Sequence, residues 1–220
     1  SWEKLNFLKI KSWWEIKIFP RDRIPDCDKK LKKPNQFIKK SKIKKKIESK
    51  YAGGYLKVSN KFFECQIGVG GLKNAAKKVE GDKTTPIGKW YIESLYYRAD
   101  RVLIPKFKKK NVLKTNQITK FCAWCDDIKS MYYNKYININ NVSSLNINYE
   151  KLWREDNVYD VFLVTSHNVK PTIKNKGSAI FIHCSFENFR RTAGCVALKK
   201  RDLMFLIRNI NSELCIRIKK

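Results

Sequence analysis

Ile180–Leu198, IFIHCSFENFRRTAGCVAL, decides how this chain is read. Two apolar runs, one carrying His183 and one beginning after Cys195, flank a polar segment with Arg190, Arg191 and the tripeptide Thr192-Ala193-Gly194. Short apolar runs bounded by polar loops are what buried strands look like. Two such strands side by side would return Cys195 to the neighbourhood of His183, 12 positions earlier. A thiol attacks as its thiolate, and free Cys titrates near about 8.5, so a nucleophilic Cys needs a base beside it. In this reading Cys195 is the nucleophile and His183 the base. Gly194 leaves the backbone free to approach an incoming carbonyl closely, as oxyanion-binding amides require. The competing reading is an inert core cysteine, among the most often buried of residues. Two facts favour chemistry: the chain has only 2 histidines, and Gly194-Cys195 follows a polar, arginine-bearing loop.

The same stretch is similar to the signature of the L,D-transpeptidase catalytic domain (the YkuD-like family), in which a His precedes Ser/Thr-x-Gly-Cys. Further blocks resemble a bacterial subgroup of that family in the same order. They are Val79–Trp90 (VEGDKTTPIGKW), Tyr97–Arg101 (YRADR), Trp124–Asp127 (WCDD), Tyr133-Asn134, Leu152–Val161 (LWREDNVYDV), His167-Asn168 and Gly177–His183 (GSAIFIH). The likeness covers roughly residues 55–210. It departs from many members at Ala193 and Ala197, where a second His and an Arg are common.

The resemblance implies a mostly β, sandwich-like fold with short helices, one of them following the nucleophile. It implies acyl transfer on peptidoglycan stem peptides through a Cys195 thioester, with no cofactor, in the periplasm or cell envelope. An amine acceptor would give a cross-link and water would give trimming, the L,D-carboxypeptidase outcome; both stay open. Carbapenems are the expected acylating analogues. In the family a backbone carbonyl often orients the His, and Cys184 C=O is the candidate here. Arg190 and Arg191 could hold substrate carboxylates bidentately. Arg98 is a third candidate for that role, with a structural ion-pair network as its alternative. His167 reads as a satisfied strand-end residue.

The chain has 220 residues, 43% hydrophobic and 13% aromatic, enough for a folded core. Its formal charge of +28 suggests an anionic partner, although abundant Lys, Ile and Asn also follow from AT-rich coding. Stem peptides are the expected partner and nucleic acid is not, although a basic module binding anionic polymer is the rival from another class. A papain-like peptidase is disfavoured because its Cys precedes its His. No apolar run reaches the roughly 18 residues of a membrane span, no metal-ligand cluster appears, and a monomer is expected. The 7 cysteines are an odd number, leaving room for one free thiol, and Cys122-Ala123-Trp124-Cys125 has redox-motif spacing.

Residues 1–52 read as a basic, lysine-rich extension and 53–220 as the catalytic domain. Lys29–Lys50 reads as a solvated helix or arm. Tyr55–Ser59 and Lys61–Gly68 read as a hairpin, Lys83–Gly88 as turns before a strand over Lys89–Leu95, and Asp160–Ser166 and Ala179–His183 as buried strands. Arg201–Ile210 has the apolar spacing of an amphipathic helix. Residues 106–148 carry little pattern.

Overall fold

The computed structural model of the chain describes residues 13–17, 54–58, 61–104, 113–210 and 214–219, the first of these as backbone only. The expected hairpin is present as β2 (Gly54–Val58) and β3 (Lys61–Gln66), paired antiparallel. After Gly68–Gly71 comes β4 (Leu72–Asn74) with a 3-10 turn at Ala75–Lys77. The next strand, β5, spans Thr85–Tyr97 and so begins inside the stretch read as turns. Its start pairs parallel with β4, Leu72 against Thr85 and Lys73 against Pro86, and this short edge partner tolerates the missing N–H of Pro86. The little-patterned region holds β6 (Lys114–Gln117), β7 (Cys122–Cys125), β8 (Tyr136–Asn138) and the short helix α1 (Ile139–Val142). With β9 (Tyr149–Lys151), β7 and β8 form a separate sheet in the order β8-β7-β9. Cys122 and Cys125 lie on β7 as free thiols.

Strand β10 (Val161–Thr165) is buried at every position, as is β11 (Phe181–Cys184). After the nucleophile loop, β12 (Val196–Leu198) leads into helix α2 (Lys200–Arg208), whose Leu203, Leu206 and Ile207 are buried. Asp202 lies in its first turn, where the helix dipole favours an anion. The last strand is β13 (Cys215–Lys219). The extension contributes β1 (Trp13–Lys17), which runs antiparallel to β2 and parallel to β13. The sheet therefore draws on a segment of the chain that the sequence reading set outside the domain. Lys29–Lys50 and Cys27 lie outside the described residues.

The main sheet runs β10-β11-β12-β3-β2-β1-β13-β5, and β10 also pairs with β5, so these strands close into a ring. One hydrophobic cluster joins α2 to the sheet through Leu203, Leu206, Ile207, Leu163, Ile182 and Leu198. A second, aromatic cluster of Tyr96, Trp124, Tyr159, Phe162 and Phe181 packs against Cys195. Phe162 and Phe181 lie with ring centroids 4.6 Å apart, and Trp124 meets Phe181 edge-on at 5.0 Å. Such aromatic contacts add to plain burial. They make a rigid floor beneath the end of the sheet where β11 and β12 meet.

Candidate active site

The pairing of β11 with β12 is parallel, with Ile182 opposite Val196 and His183 opposite Ala197. Cys195, just before β12, therefore falls beside Phe181, on the face that Phe181 shares with His183 because side chains alternate along a strand. The Phe181 amide donates to Cys195 Sγ at 3.3 Å, and the thiol donates to Ala179 C=O at 3.0 Å. His183 and Cys195 both line one cleft of about 270 Å³. The two residues that the sequence paired are thus in one cavity, with the thiol proton directed at Ala179.

His183 is buried, and its Nδ1 lies 2.7 Å from Cys184 C=O. A carbonyl only accepts, so Nδ1 carries the proton and Nε2 is the basic nitrogen. The Tyr159 ring stands edge-on to the imidazole, 5.5 Å between centroids, and fixes its plane from the other side. Burial pulls His183 down to about 4, against the opposing pull of the Cys184 carbonyl. Burial also pushes the Cys195 thiol up to about 12, although the Phe181 amide works the other way. At neutral pH the resting pair is a neutral thiol and a neutral imidazole.

Gly194 has φ +142, and a Cβ there would sit 3.0 Å from Thr84 C=O. Its N–H donates to Thr192 Oγ1 at 3.2 Å, while Thr192 Oγ1 donates to Cys195 C=O at 2.6 Å. Gly194 lines the cleft on one side, and on the other the space a Cβ would need is taken by Thr84 C=O on the approach to β5. The Gly194 amide is engaged within the loop. The amides of Ala193 and Cys195 have no partner among the described residues.

Thr84, on the approach to β5, is held by Asp82. Asp82 Oδ1 accepts from Lys78 Nζ, Thr84 N–H and Thr84 Oγ1, and Oδ2 from Val79 N–H. Burial would raise this carboxyl, but the Lys78 ammonium and the two amides outweigh it and hold it below the ordinary range. From there Thr85 Oγ1 donates to Gly194 C=O at 2.8 Å and accepts from Gly68 N–H at 2.9 Å. Gly68 must be glycine, since a Cβ would collide with Lys83 C=O. The Gly-Asp-Lys-Thr-Thr-Pro block is thus a buttress for the nucleophile loop. The paired threonines after Asp82 are the sequence signal of that role.

The arginines are distributed differently from the expectation. Arg98 is buried, bound bidentately to Asp100 at 2.8 and 2.6 Å, and laid 3.3 Å from the centre of the Trp153 ring. Arg191 donates to Gly68 C=O at 2.6 Å. Neither lines the cleft. Arg98 answers to the structural ion-pair alternative and is corrected as a substrate ligand because its donors are spent inside the fold; Arg191 is corrected because it lies outside the cleft, tied to Gly68 C=O, with its buried Nε unpaired among the described residues. Arg190 is exposed and stacks on Phe186, 3.9 Å from the ring centre, at a neighbouring surface hollow. The charged residues that do line the cleft include Lys78, Glu80, Lys83, Asp126, Glu150 and Arg154. Arg154, Glu150 and Tyr159 form one unit: Tyr159 donates to Glu150 at 2.8 Å, and Arg154 lies 3.7 Å from the same carboxylate. Arg154 and Tyr159 stand in the LWREDNVYDV block, while Lys78, Glu80, Lys83 and Asp126 join them only through the fold.

His167, the other histidine, is buried outside this cleft. Its Nε2 meets Lys176 C=O at 3.0 Å, and Trp90 lies against the ring at 4.8 Å. Its Nδ1 is buried without a partner among the described residues, so the satisfied strand-end reading holds for one ring nitrogen only.

Comparison with known families gives a match over residues 48–218 to the YkuD family model, described as the L,D-transpeptidase catalytic domain. No curated protein matches the chain.

Proposed function

The chain belongs to the L,D-transpeptidase catalytic domain family, and on that premise we propose that Cys195 forms an acyl-enzyme with peptidoglycan stem peptides, with His183 as its base. The observation that carries this reading is the shared cleft. It contains one thiol and an imidazole whose basic nitrogen is left free by the Cys184 carbonyl.

The thiol turns from Ala179 C=O to His183 Nε2 and gives up its proton as sulfur attacks the stem carbonyl carbon. With both groups neutral at rest, transfer and attack proceed together, and no free thiolate accumulates. The oxyanion is received by the Cys195 amide, with Ala193 N–H beside it; one such donor is worth on the order of 3 kcal/mol. The C–N bond to the terminal residue breaks, the leaving amine takes the proton back from His183, and a thioester remains on Cys195. An amine of a second stem then loses its proton to His183, attacks the thioester and releases the thiol. The acidic side chains of the cleft, Glu80, Asp126 and Glu150, suit an approaching ammonium group. They share the cleft with the cations Lys78, Lys83 and Arg154, and both an amine and water suit it as acceptors of the acyl group. The site is expected to act in the cell envelope. Among the described residues no helix is long and apolar enough to cross a membrane.

The test is mass spectrometry of the intact protein and its peptides after incubation with a carbapenem. One adduct on Cys195 is expected, with none in Cys195→Ala. Cys184→Ser should still be acylated, since that residue supplies only its carbonyl. Cross-linking or trimming of stem peptides by Cys195→Ala would sink the assignment.

A further inference from the structure

The hydrogen-bond partners of the Cys195 sulfur are Ala179 C=O, on the short approach to β11, and the N–H of Phe181, the first residue of β11. That approach is not regular: Ala179 has φ +50, a left-handed conformation that an L-residue with a Cβ keeps only when its surroundings impose it. The imposing group is Asn134. Its side chain is buried, and Oδ1 accepts from Ala179 N–H at 3.0 Å and from Trp124 Nε1–H at 2.9 Å. Both neighbours are donors, which fixes the orientation of the amide. The other end, Nδ2, donates to Asn168 C=O at 2.7 Å and more distantly to His167 C=O at 3.4 Å. Asn134 itself has φ +55, a conformation that Asn tolerates better than most residues. All four bonding positions of this amide are used, and they tie β7, the turn after β10 and the approach to β11 to one point.

We infer that Asn134 is a positioning residue for the nucleophile: by holding Ala179 left-handed it aims the Ala179 carbonyl at the Cys195 thiol and sets the direction of the S–H bond. Asn134 does not line the cleft, so it acts on substrate only through Ala179. The consequence is a thiol with one defined resting direction, in the cleft it shares with His183. Without the tether, Ala179 relaxes toward the ordinary right-handed or extended backbone and its carbonyl leaves the sulfur. The Phe181 amide, two residues on, shifts with it. This deepens the reading of Cys195 as nucleophile and rests on it for its catalytic meaning, although the geometry stands alone.

The experiment is infrared difference spectroscopy of the S–H stretch, full-length protein minus its Cys195→Ala form, paired with the rate of carbapenem acylation. A thiol donating to a carbonyl absorbs at lower frequency than a free one. In Asn134→Leu the Cys195 band is expected to move to the free-thiol frequency, and acylation to fall by up to ~10²-fold, the scale of a slightly misplaced reacting group. Asn134→Asp keeps the acceptor for Ala179 and should keep the band. Combining Asn134→Leu with Ala179→Gly should recover part of the rate, because glycine enters the left-handed region without penalty. If Asn134→Leu does not fold, as judged by circular dichroism, Asn134→Ser is measured in its place with the same expectation. An unchanged Cys195 band in the folded variant overturns the inference, whatever happens to the rate. Failure of the wild-type protein to be acylated at Cys195 would instead remove the nucleophile assignment and leave the band as a test of the tether.

Discussion

Strands β11 and β1 sit opposite each other in the closed ring, each separated from the other by three strands in either direction. β11 is four buried residues, Phe-Ile-His-Cys, and carries the base of the site. β1 comes from the lysine-rich extension and is placed by backbone pairing, Trp13 opposite Cys215 through Lys17 opposite Lys219 on one side and β2 on the other. A strand covered on both faces announces itself as an apolar run. A strand defined by partners about 40 and about 200 residues away leaves no local sign, because pairing uses amides and carbonyls that every residue has. The chemistry collects on the arc around β11, and the arc around β1 closes the ring. Substitutions should therefore separate by arc, with turnover responding at the first and stability at the second.

The largest effect belongs to His183. Replacing it by Ala should lower acylation of Cys195 by roughly 10²–10⁴-fold, the usual loss for a general base. His167→Ala, outside the cleft, should alter acylation by no more than a few-fold. It should instead cost about 1–3 kcal/mol of unfolding free energy, because the imidazole packs on Trp90 and bonds Lys176 C=O. Single-turnover rates and urea titrations on both variants check this. The reverse order of rate losses would move the base out of the β11 arc.

A pH series sharpens the same contrast. His183 is held down to about 4 by burial, whereas in the unfolded chain it titrates near 6.5. The unfolded state thus binds more protons between those values, so the stability tied to the neutral imidazole is present above 6.5 and is lost as pH falls toward 4. Going from pH 7 to pH 5 should cost about 2 kcal/mol through this group. His167 is lowered in the same direction by burial, so the His183 share is the difference between wild type and His183→Gln. In kinetics, the acid limb of acylation should lie below that of an ordinary imidazole. Glu150 and Asp126, both raised by burial, titrate in the same cleft. An acid limb near pH 6.5 would mean that the base is solvated, contrary to the buried geometry.

Legibility in the sequence followed the same division. The hairpin of β2 and β3, the buried strands β10 and β11, the helix after Cys195 and the pairing of His183 with Cys195 could all be read, because each rests on local pattern or on one short loop. Cys184 C=O as the partner of His183 was legible from the family. The start of β5 was hidden because Thr-Pro-x-Gly also spells a turn. The tasks of Thr85 and Asn134 were hidden because each acts across tens of residues, Thr85 reaching Gly194 and Asn134 reaching Ala179. The arginines misled for a related reason: a guanidinium beside a nucleophile loop looks the same in sequence whether its donors face substrate or a carbonyl such as that of Gly68.

Arg98 gives the next, smaller effect. Arg98→Ala should reduce stability by about 1–3 kcal/mol through lost packing on Trp153 and the lost 3.0 Å bond to the Arg154 carbonyl, which keeps only the longer one from Arg101 at 3.4 Å. Its KM for a stem peptide should stay within a few-fold of wild type in denaturant-free buffer. Arg190→Ala, exposed on Phe186, should change neither by more than that. A large KM increase confined to Arg98→Ala, with unfolding unchanged, would restore it as a substrate ligand.

The smallest effect on chemistry should come from deleting residues 1–50, and it bears most directly on the contrast between the arcs. The deletion removes β1 and leaves β2 and β13 with unpaired edges, a known invitation to aggregation. Each lost ladder hydrogen bond is worth about 0.5–1.5 kcal/mol net, so the shortened protein should melt several degrees lower and need less urea to unfold. β1 lies on the far side of the ring from β11, and no described residue of the cleft comes from it. Acylation by a small soluble carbapenem, measured well below the melting point, should therefore stay within a few-fold of the full chain. If the truncated protein melts with the full-length one, β1 does not hold the ring closed. If it is folded by circular dichroism yet unreactive, the far arc sets the geometry at Cys195, and the separation of stability from turnover fails.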